Sequence, residues 1–270
     1  MKESVSALRA QVFSEDWPLD QEIASVAARA PSHSFLSNPA GQLVFIYLTR
    51  FVQIASEQLL NRPFHTLSVL DWGCGKGHVS KLLRDLGPGI LEACDLVSEK
   101  DDSTFGQDTP IIEEFDIPVT PLHHESILPY PVDSFDVVLS VGVLEHVAND
   151  RASIAEITRI LRPEGLFFCF NLPATRSWTQ KVSHWRGNFY HDRLYSEQTI
   201  KEMTSAVGLE LIDLWYRQIL PKNTVHYPRF RLFEKVDQYV TFHTPLRVFA
   251  TSIEFVGSKK SRETADSTIL

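Results

Sequence analysis

The chain has 270 residues, 43% hydrophobic and 22% charged, with a formal net charge of -8. That length suffices for one α/β domain with its own core and some added elements. The acidic balance argues against a broad nucleic-acid footprint, which demands the opposite sign. The three cysteines, Cys74, Cys94 and Cys169, form no Cys-x-x-Cys pair. This excludes a four-cysteine zinc site and a dithiol redox motif, and suggests buried, reduced thiols. Residues 1–20 lack the apolar stretch of a secretory leader. The strongest early apolar run, 43–48, is far shorter than a membrane span. A cytoplasmic protein is the expectation.

Residues 1–40, with Pro18, Pro31 and Pro39, predict helical pieces and loops. From Gly41, Val44, Leu48, Phe51, Val52, Ala55 and Leu59 recur at helical spacing up to Asn61 and Pro63, where proline forbids continuation. Such a stripe packs a core or lids a ligand site. A buried strand follows at 67–71, a helix at 76–86 stopped by Gly87-Pro88-Gly89, and a second strand at 90–95. Residues 98–121 are polar and proline-rich and carry no clear element. A strand is expected at 135–140, and a helix at 149–161 capped by Asn149 or Asp150. A turn at 162–165 then leads to a strand at 166–170. Beyond it come a helix at 197–207, a strand at 210–216, a partly helical connection at 218–246 and a closing strand at 249–256. The polar tail, 259–270, is expected to be disordered. Alternating strands and helices, the strands apolar throughout, imply a doubly wound, mostly parallel sheet covered on both faces.

The chemistry concentrates in Asp71-Trp72-Gly73-Cys74-Gly75-Lys76-Gly77, between a strand and a helix. Glycines there permit a tight turn and a close ligand approach, at the strand ends where open parallel sheets bind ligands. The third glycine is one residue too early for the dinucleotide fingerprint, which would place it at His78. Asp71 would repel a pyrophosphate but attract an ammonium group. Asp95, ending the second strand, stands where an acid holds ribose hydroxyls.

These residues resemble the class I S-adenosylmethionine-dependent methyltransferases. Asp71-x-Gly73-x-Gly75-x-Gly77 looks like their first motif, and Asp95 matches their ribose-binding acid. The segments 128–138 and 140–147 are similar to the entry and exit of their fourth strand, and 161–165 to the turn before the fifth. The resemblance covers roughly 65–258. It implies a seven-stranded Rossmann-like sheet with an antiparallel last strand, behind an N-terminal helical extension at 1–64, and an acceptor-side insertion at 218–246. It further implies S-adenosylmethionine as cofactor, with Asp71 on the methionyl ammonium, Gly73, Cys74 and Gly75 along the ligand, and Asp95 on the ribose. Leu96 falls beside the adenine and Ser140 near the methionyl end. Where many members place an adenine-binding acid, this chain has His124, with Glu125 next to it.

Methyl transfer from a sulfonium needs alignment and exclusion of water more than it needs a metal, and no metal-ligand set stands out. A neutral hydroxyl acceptor adds a base. The candidates are His146, beside Glu145, and His184 and His191 in the aromatic and basic segment 176–193. His146 and Glu145 could equally cap a turn. The segment 176–193 suits an anionic or sugar-like acceptor, or is a loop pinned by its aromatics. An Asp/Asn-Pro-Pro-aromatic run, common in enzymes that methylate nucleic-acid bases, is missing. The end of the chain, 245–255, looks like that of methyltransferases of glycan synthesis, which points to O-methylation of a sugar, a lipid-linked glycan or another small molecule. The aromatics of 218–246 could instead form a homodimer contact. Two rival readings are a noncatalytic S-adenosylmethionine-binding partner and a nicotinamide dehydrogenase.

Overall fold

The computed structural model describes residues 4–29, 34–97, 110–187, 193–222 and 225–261. Four helices come first: α1 (Val5–Ser14), α2 (Gln21–Arg29), α3 (Ser34–Ser37) and α4 (Pro39–Leu60). The alternating part follows with β1 (Ser68–Trp72), α5 (His78–Asp85), β2 (Ile90–Leu96), α6 (Pro110–Glu114), β3 (Val119–Leu122), β4 (Phe135–Val141), α7 (Asp150–Ile160) and β5 (Leu161–Pro173). The chain ends with α8 (Trp178–Trp185), α9 (Glu197–Ala206), β6 (Leu209–Arg217), α10 (Phe230–His243), a 3-10 turn (Pro245–Phe249) and β7 (Ser252–Lys259).

The seven strands form one sheet in the order β3-β2-β1-β4-β5-β7-β6. β1 to β5 run parallel, and β7 is antiparallel to both β5 and β6. This is the Rossmann-like methyltransferase arrangement. β1 lies between β2 and β4, so the winding reverses beside it and opens a crevice at the strands' carboxyl ends.

Three differences from the sequence reading stand out. β3 was illegible because Pro121 sits inside it, tolerated since β3 is an edge strand. The turn expected at 162–165 is instead part of the long β5, whose register against β4 shifts between Phe135 and Val137, with Glu164 at a φ of 65°. α8, read only as an aromatic segment, is a helix capped by the Ser177 hydroxyl, which accepts from the Gln180 N–H. Of the tail, residues 262–270 lie outside the described residues.

The N-terminal helices share a core with the sheet. Leu8, Val12, Ile23, Leu43, Leu48, Phe51 and Val52 pack in one cluster with Val69, Leu139 and Phe168. Among the described residues α4 alone is long and apolar enough to cross a membrane, and its apolar residues from Leu43 to Ala55 are buried against that core. Buried polar links fix the layers. Arg217 of β6 donates to the Val44 carbonyl of α4 at 2.8 Å and pairs with Glu254 of β7 at 3.4 Å. The Trp215 indole donates to the same carboxylate at 2.8 Å.

At the opposite end of the sheet from the crevice, Asp136 joins β1 to β4. It accepts from the Ser68 N–H at 2.8 Å, from Arg62 at 2.6 Å and from Arg162 at 2.7 Å. Its burial is outweighed by these donors together, which hold the carboxyl below its ordinary range. A depressed carboxyl stabilises the fold above its unfolded pKa, and the contribution is lost as pH falls through the folded value. Asp136→Asn leaves two arginines without their anion. It is expected to cost about 3 kcal/mol at pH 7, with the gap to the parent narrowing below pH 4, as read by urea melts across pH.

Candidate active site

A cavity of about 650 Å³ opens at the carboxyl ends of β1, β2 and β4. Its floor is the glycine loop. Gly73, Gly75 and Gly77 have φ of 74°, 53° and 76°, a left-handed conformation that only glycine takes without strain. Close approach makes the first and third irreplaceable. A Cβ on Gly73 would meet Val143 at 2.5 Å, and one on Gly77 would meet Ile112 at 2.5 Å. The Gly73 and Cys74 N–H groups both donate to the Cys94 carbonyl, at 2.9 and 3.1 Å, which clamps the loop onto β2.

Asp71 and Asp95 stand on either side of this loop, both lining the cavity and almost wholly buried. Asp71 accepts from the Ser80 hydroxyl at 2.6 Å; burial pushes it up to about 6 despite that bond. Asp95 accepts from the Gly75 N–H at 2.5 Å and from its neighbour Leu96 at 2.7 Å. Burial pushes it up to about 7, with those two bonds opposing. Among the described residues neither carboxylate has a cationic partner.

The other expected ligand residues divide. Cys74, Leu96 and Glu125 line the cavity. The Glu125 carboxylate accepts from the Ala148 and Asn149 N–H groups at 2.5 and 3.3 Å, pinning the loop after β4. His124 is absent from the wall; its Nδ1 accepts from the Ser126 N–H at 3.1 Å. Of the two neighbours, Glu125 is the one that reaches the cavity. Ser140 must be corrected. It is fully buried in β4, its hydroxyl 3.5 Å from the Cys169 sulfur, and is not part of the wall. Side chains alternate along a strand, and the next residues, Val141 and Gly142, reach the cavity instead.

Of the expected bases among the described residues, His146 is placed at the cavity. Burial lowers its pKa, which favours the neutral imidazole, the form that can accept a proton. His184 sits on α8 and is not among the lining residues; a helical turn carries it away from the wall. His191 lies outside the described residues. Glu145 emerges beside His146. It is nearly inaccessible, with Oε1 3.9 Å from the imidazole Nε2 and Oε2 lacking a hydrogen-bond partner among the described residues. Burial pushes its carboxyl up to about 7.

Sequence reasoning missed part of the wall. Phe35 and Phe45 of the N-terminal segment line it, as does His78, whose ring stands edge-on to Phe45 at 4.3 Å. Asn171, Gln218, Thr251 and Ser252 come from the ends of β5, β6 and β7. Asn171 and Gln218 hold left-handed φ of 60° and 65°, and the Gln218 amide donates to the Asn171 oxygen at 3.2 Å. Two strained non-glycine residues meeting at a cavity are typical of a functional rim. No local sequence signal announces that conformation.

The arrangement suits a ligand with a cationic end, a diol and an apolar ring. The family model described as a methyltransferase domain matches residues 34–214. A "Ubiquinone biosynthesis O-methyltransferase" of Rhizobium etli is 26% identical over 68% of this chain and 75% of its own length. One of the same name from Caulobacter vibrioides is 34% identical over 54% of this chain and 56% of its own length. Among solved structures, a SAM-dependent methyltransferase from Thermotoga maritima has a TM-score of 0.50 and 14% identity, covering 78% of this chain and 91% of that one.

The raised carboxyl of Glu145 has a stability consequence. An acid with a folded pKa above its unfolded one stabilises the fold below the unfolded value, and that contribution is lost as pH rises through the folded one. The ligand-free protein should therefore weaken between about pH 4 and 8. Glu145→Gln should raise its stability at pH 8 by on the order of 1–3 kcal/mol and leave it nearly unchanged at pH 5, as read by melting temperatures at both values.

Proposed function

This chain belongs to the methyltransferase-domain family and is a methyltransferase, and we propose that it moves the methyl group of S-adenosylmethionine to a phenolic hydroxyl of a quinone-precursor-like acceptor. The observation that carries the reading is the single cavity joining the glycine loop and Asp95 at one end to Glu145 and His146 at the other. It has room for donor and acceptor together, which a noncatalytic binder would not need. The names of the relatives favour O-methylation and a quinone precursor over the sugar or glycan suggested by residues 245–255.

The residues present fit the donor. Asp95 would hold the ribose diol through carboxylate lone pairs left over from Gly75 and Leu96. The buried Asp71 would favour the methionyl ammonium. Leu96, Leu122 and Val143 supply apolar surface for the adenine, with Glu125 at its edge. S-adenosylmethionine, when bound, supplies an electrophilic methyl carbon on a sulfonium.

The chain's own residues then do three things. Phe35 and Phe45 screen the site from water. Asn171 and Gln218, their amides already linked, orient the acceptor. His146 takes the proton. A phenol ionises near pH 10, so the acceptor hydroxyl needs a base. The proton moves to the neutral imidazole, and Glu145 beside it stabilises the resulting cation.

Calorimetry should show binding of S-adenosylmethionine and S-adenosylhomocysteine, weakened about 10- to 100-fold in Asp95→Ala; a protein that binds neither sulfur ligand would refute the donor assignment. In transfer assays with catechol-type and sugar acceptors, His146→Ala should lower kcat for a catechol by about 10²- to 10⁴-fold at pH 7 and less at higher pH. Methylation of the sugar alone would move the acceptor back to a glycan.

A further inference from the structure

α10 buries two acids and leaves an aliphatic stripe exposed. Its inward face carries the buried Glu234, Asp237 and Thr241, with Phe230 and Phe242 packed against the core. Glu234 and Asp237 pair with the buried Lys222 at 2.6 and 2.8 Å, and the second oxygen of Asp237 accepts from the Ile219 and Leu220 N–H groups at 2.7 and 2.8 Å. Its outward face carries Leu232, Val236 and Tyr239, which are 54%, 48% and 64% exposed. Their spacing of four and three residues puts them on one stripe. Leu246 and Phe249, on the 3-10 turn against which α10 packs, are also exposed. A helix that spends its acids inward and shows its aliphatics outward needs a partner for that face.

The charge of the same surface says which partner. Residues 225–249 contain two acids, Glu234 and Asp237, and both are buried against Lys222. The cations Arg229, Lys235 and Arg247 are exposed, while Arg231 is held by Asp16 at 2.8 Å. A chain of net charge -8 thus presents an apolar stripe flanked by uncompensated cations. A two-fold pairing of this face with a second copy would set those cations against their own duplicates. A surface of fluid acyl chains under anionic headgroups satisfies both features. The face is tied to the catalytic cavity. The loop held by Asp237 begins at Gln218, whose carbonyl accepts from the Thr251 N–H at 2.7 Å, and both residues line the wall.

We propose that α10 and the following 3-10 turn dock this protein onto an anionic lipid bilayer, with Leu232, Val236, Tyr239, Leu246 and Phe249 entering the boundary between headgroups and acyl chains and Arg229, Lys235 and Arg247 meeting lipid phosphates. The methyl-transfer cavity then opens beside the membrane surface.

Flotation of the full-length protein with phosphatidylcholine vesicles, with and without phosphatidylglycerol, tests this. The parent should float with the phosphatidylglycerol vesicles, weakly with phosphatidylcholine alone, and less as salt is raised. Lys235→Gln and Arg247→Gln should each lower the partition about fivefold, and Val236→Ser/Tyr239→Ser at least tenfold. All are surface changes, so melting temperature and S-adenosylmethionine binding should stay at parental values, which separates this test from that of the donor assignment. Absence of flotation, or flotation that these variants do not change, would overturn the proposal. So would a dimer in sedimentation velocity that Val236→Ser/Tyr239→Ser dissociates without any vesicle binding, which would assign the face to a second copy.

Discussion

The site depends on keeping carboxyl groups out of water at the ends of adjacent parallel strands. Asp71 lies near the end of β1 and Asp95 near the end of β2, and burial drives both toward neutrality, with Asp71 adding to the push on Asp95. The fold tolerates them because each receives hydrogen bonds from the loop or helix it positions: Ser80 of α5 for Asp71, the Gly75 backbone for Asp95. What they lack among the described residues is a cation. A ligand bringing positive charge and hydroxyl donors supplies what is missing, and the desolvation cost already met in folding becomes selectivity for that ligand.

The same logic sets the opposite end of the sheet apart. Asp136 is also nearly inaccessible to solvent, yet two arginines and Ser68 surround it. Burial with cationic partners fixes β1 against β4, whereas Asp71 and Asp95, with hydrogen-bond donors but no cation among the described residues, line the candidate cavity.

The N-terminal helices are part of this economy. α4 buries its apolar residues under the sheet and brings Phe45 to the cavity, and α3 brings Phe35. Arg217 ties the last hairpin to α4 through the Val44 carbonyl. The wall of the cavity is therefore assembled from the two ends of the chain, which meet over the glycine loop.

Local chemistry made much of this legible in the sequence. The glycine spacing, Asp71, Asp95 and the alternation of apolar strands with helices determined the fold class and the glycine-loop end of the cavity, because turn geometry and double-sided burial act over a few residues. β3 was hidden by Pro121, which only its edge position excuses. That Glu125 and not His124 reaches the cavity was visible only once the loop was in place. Ser140 was misplaced because strand alternation decides its direction, and His184 because a helix carries it off the wall. Phe35, Phe45, Asn171, Gln218 and Thr251, and the inverted faces of α10, were decided by tertiary structure alone. Each owes its role to contacts between segments far apart in the chain, and a pattern read along the sequence carries no term for what a residue meets across space.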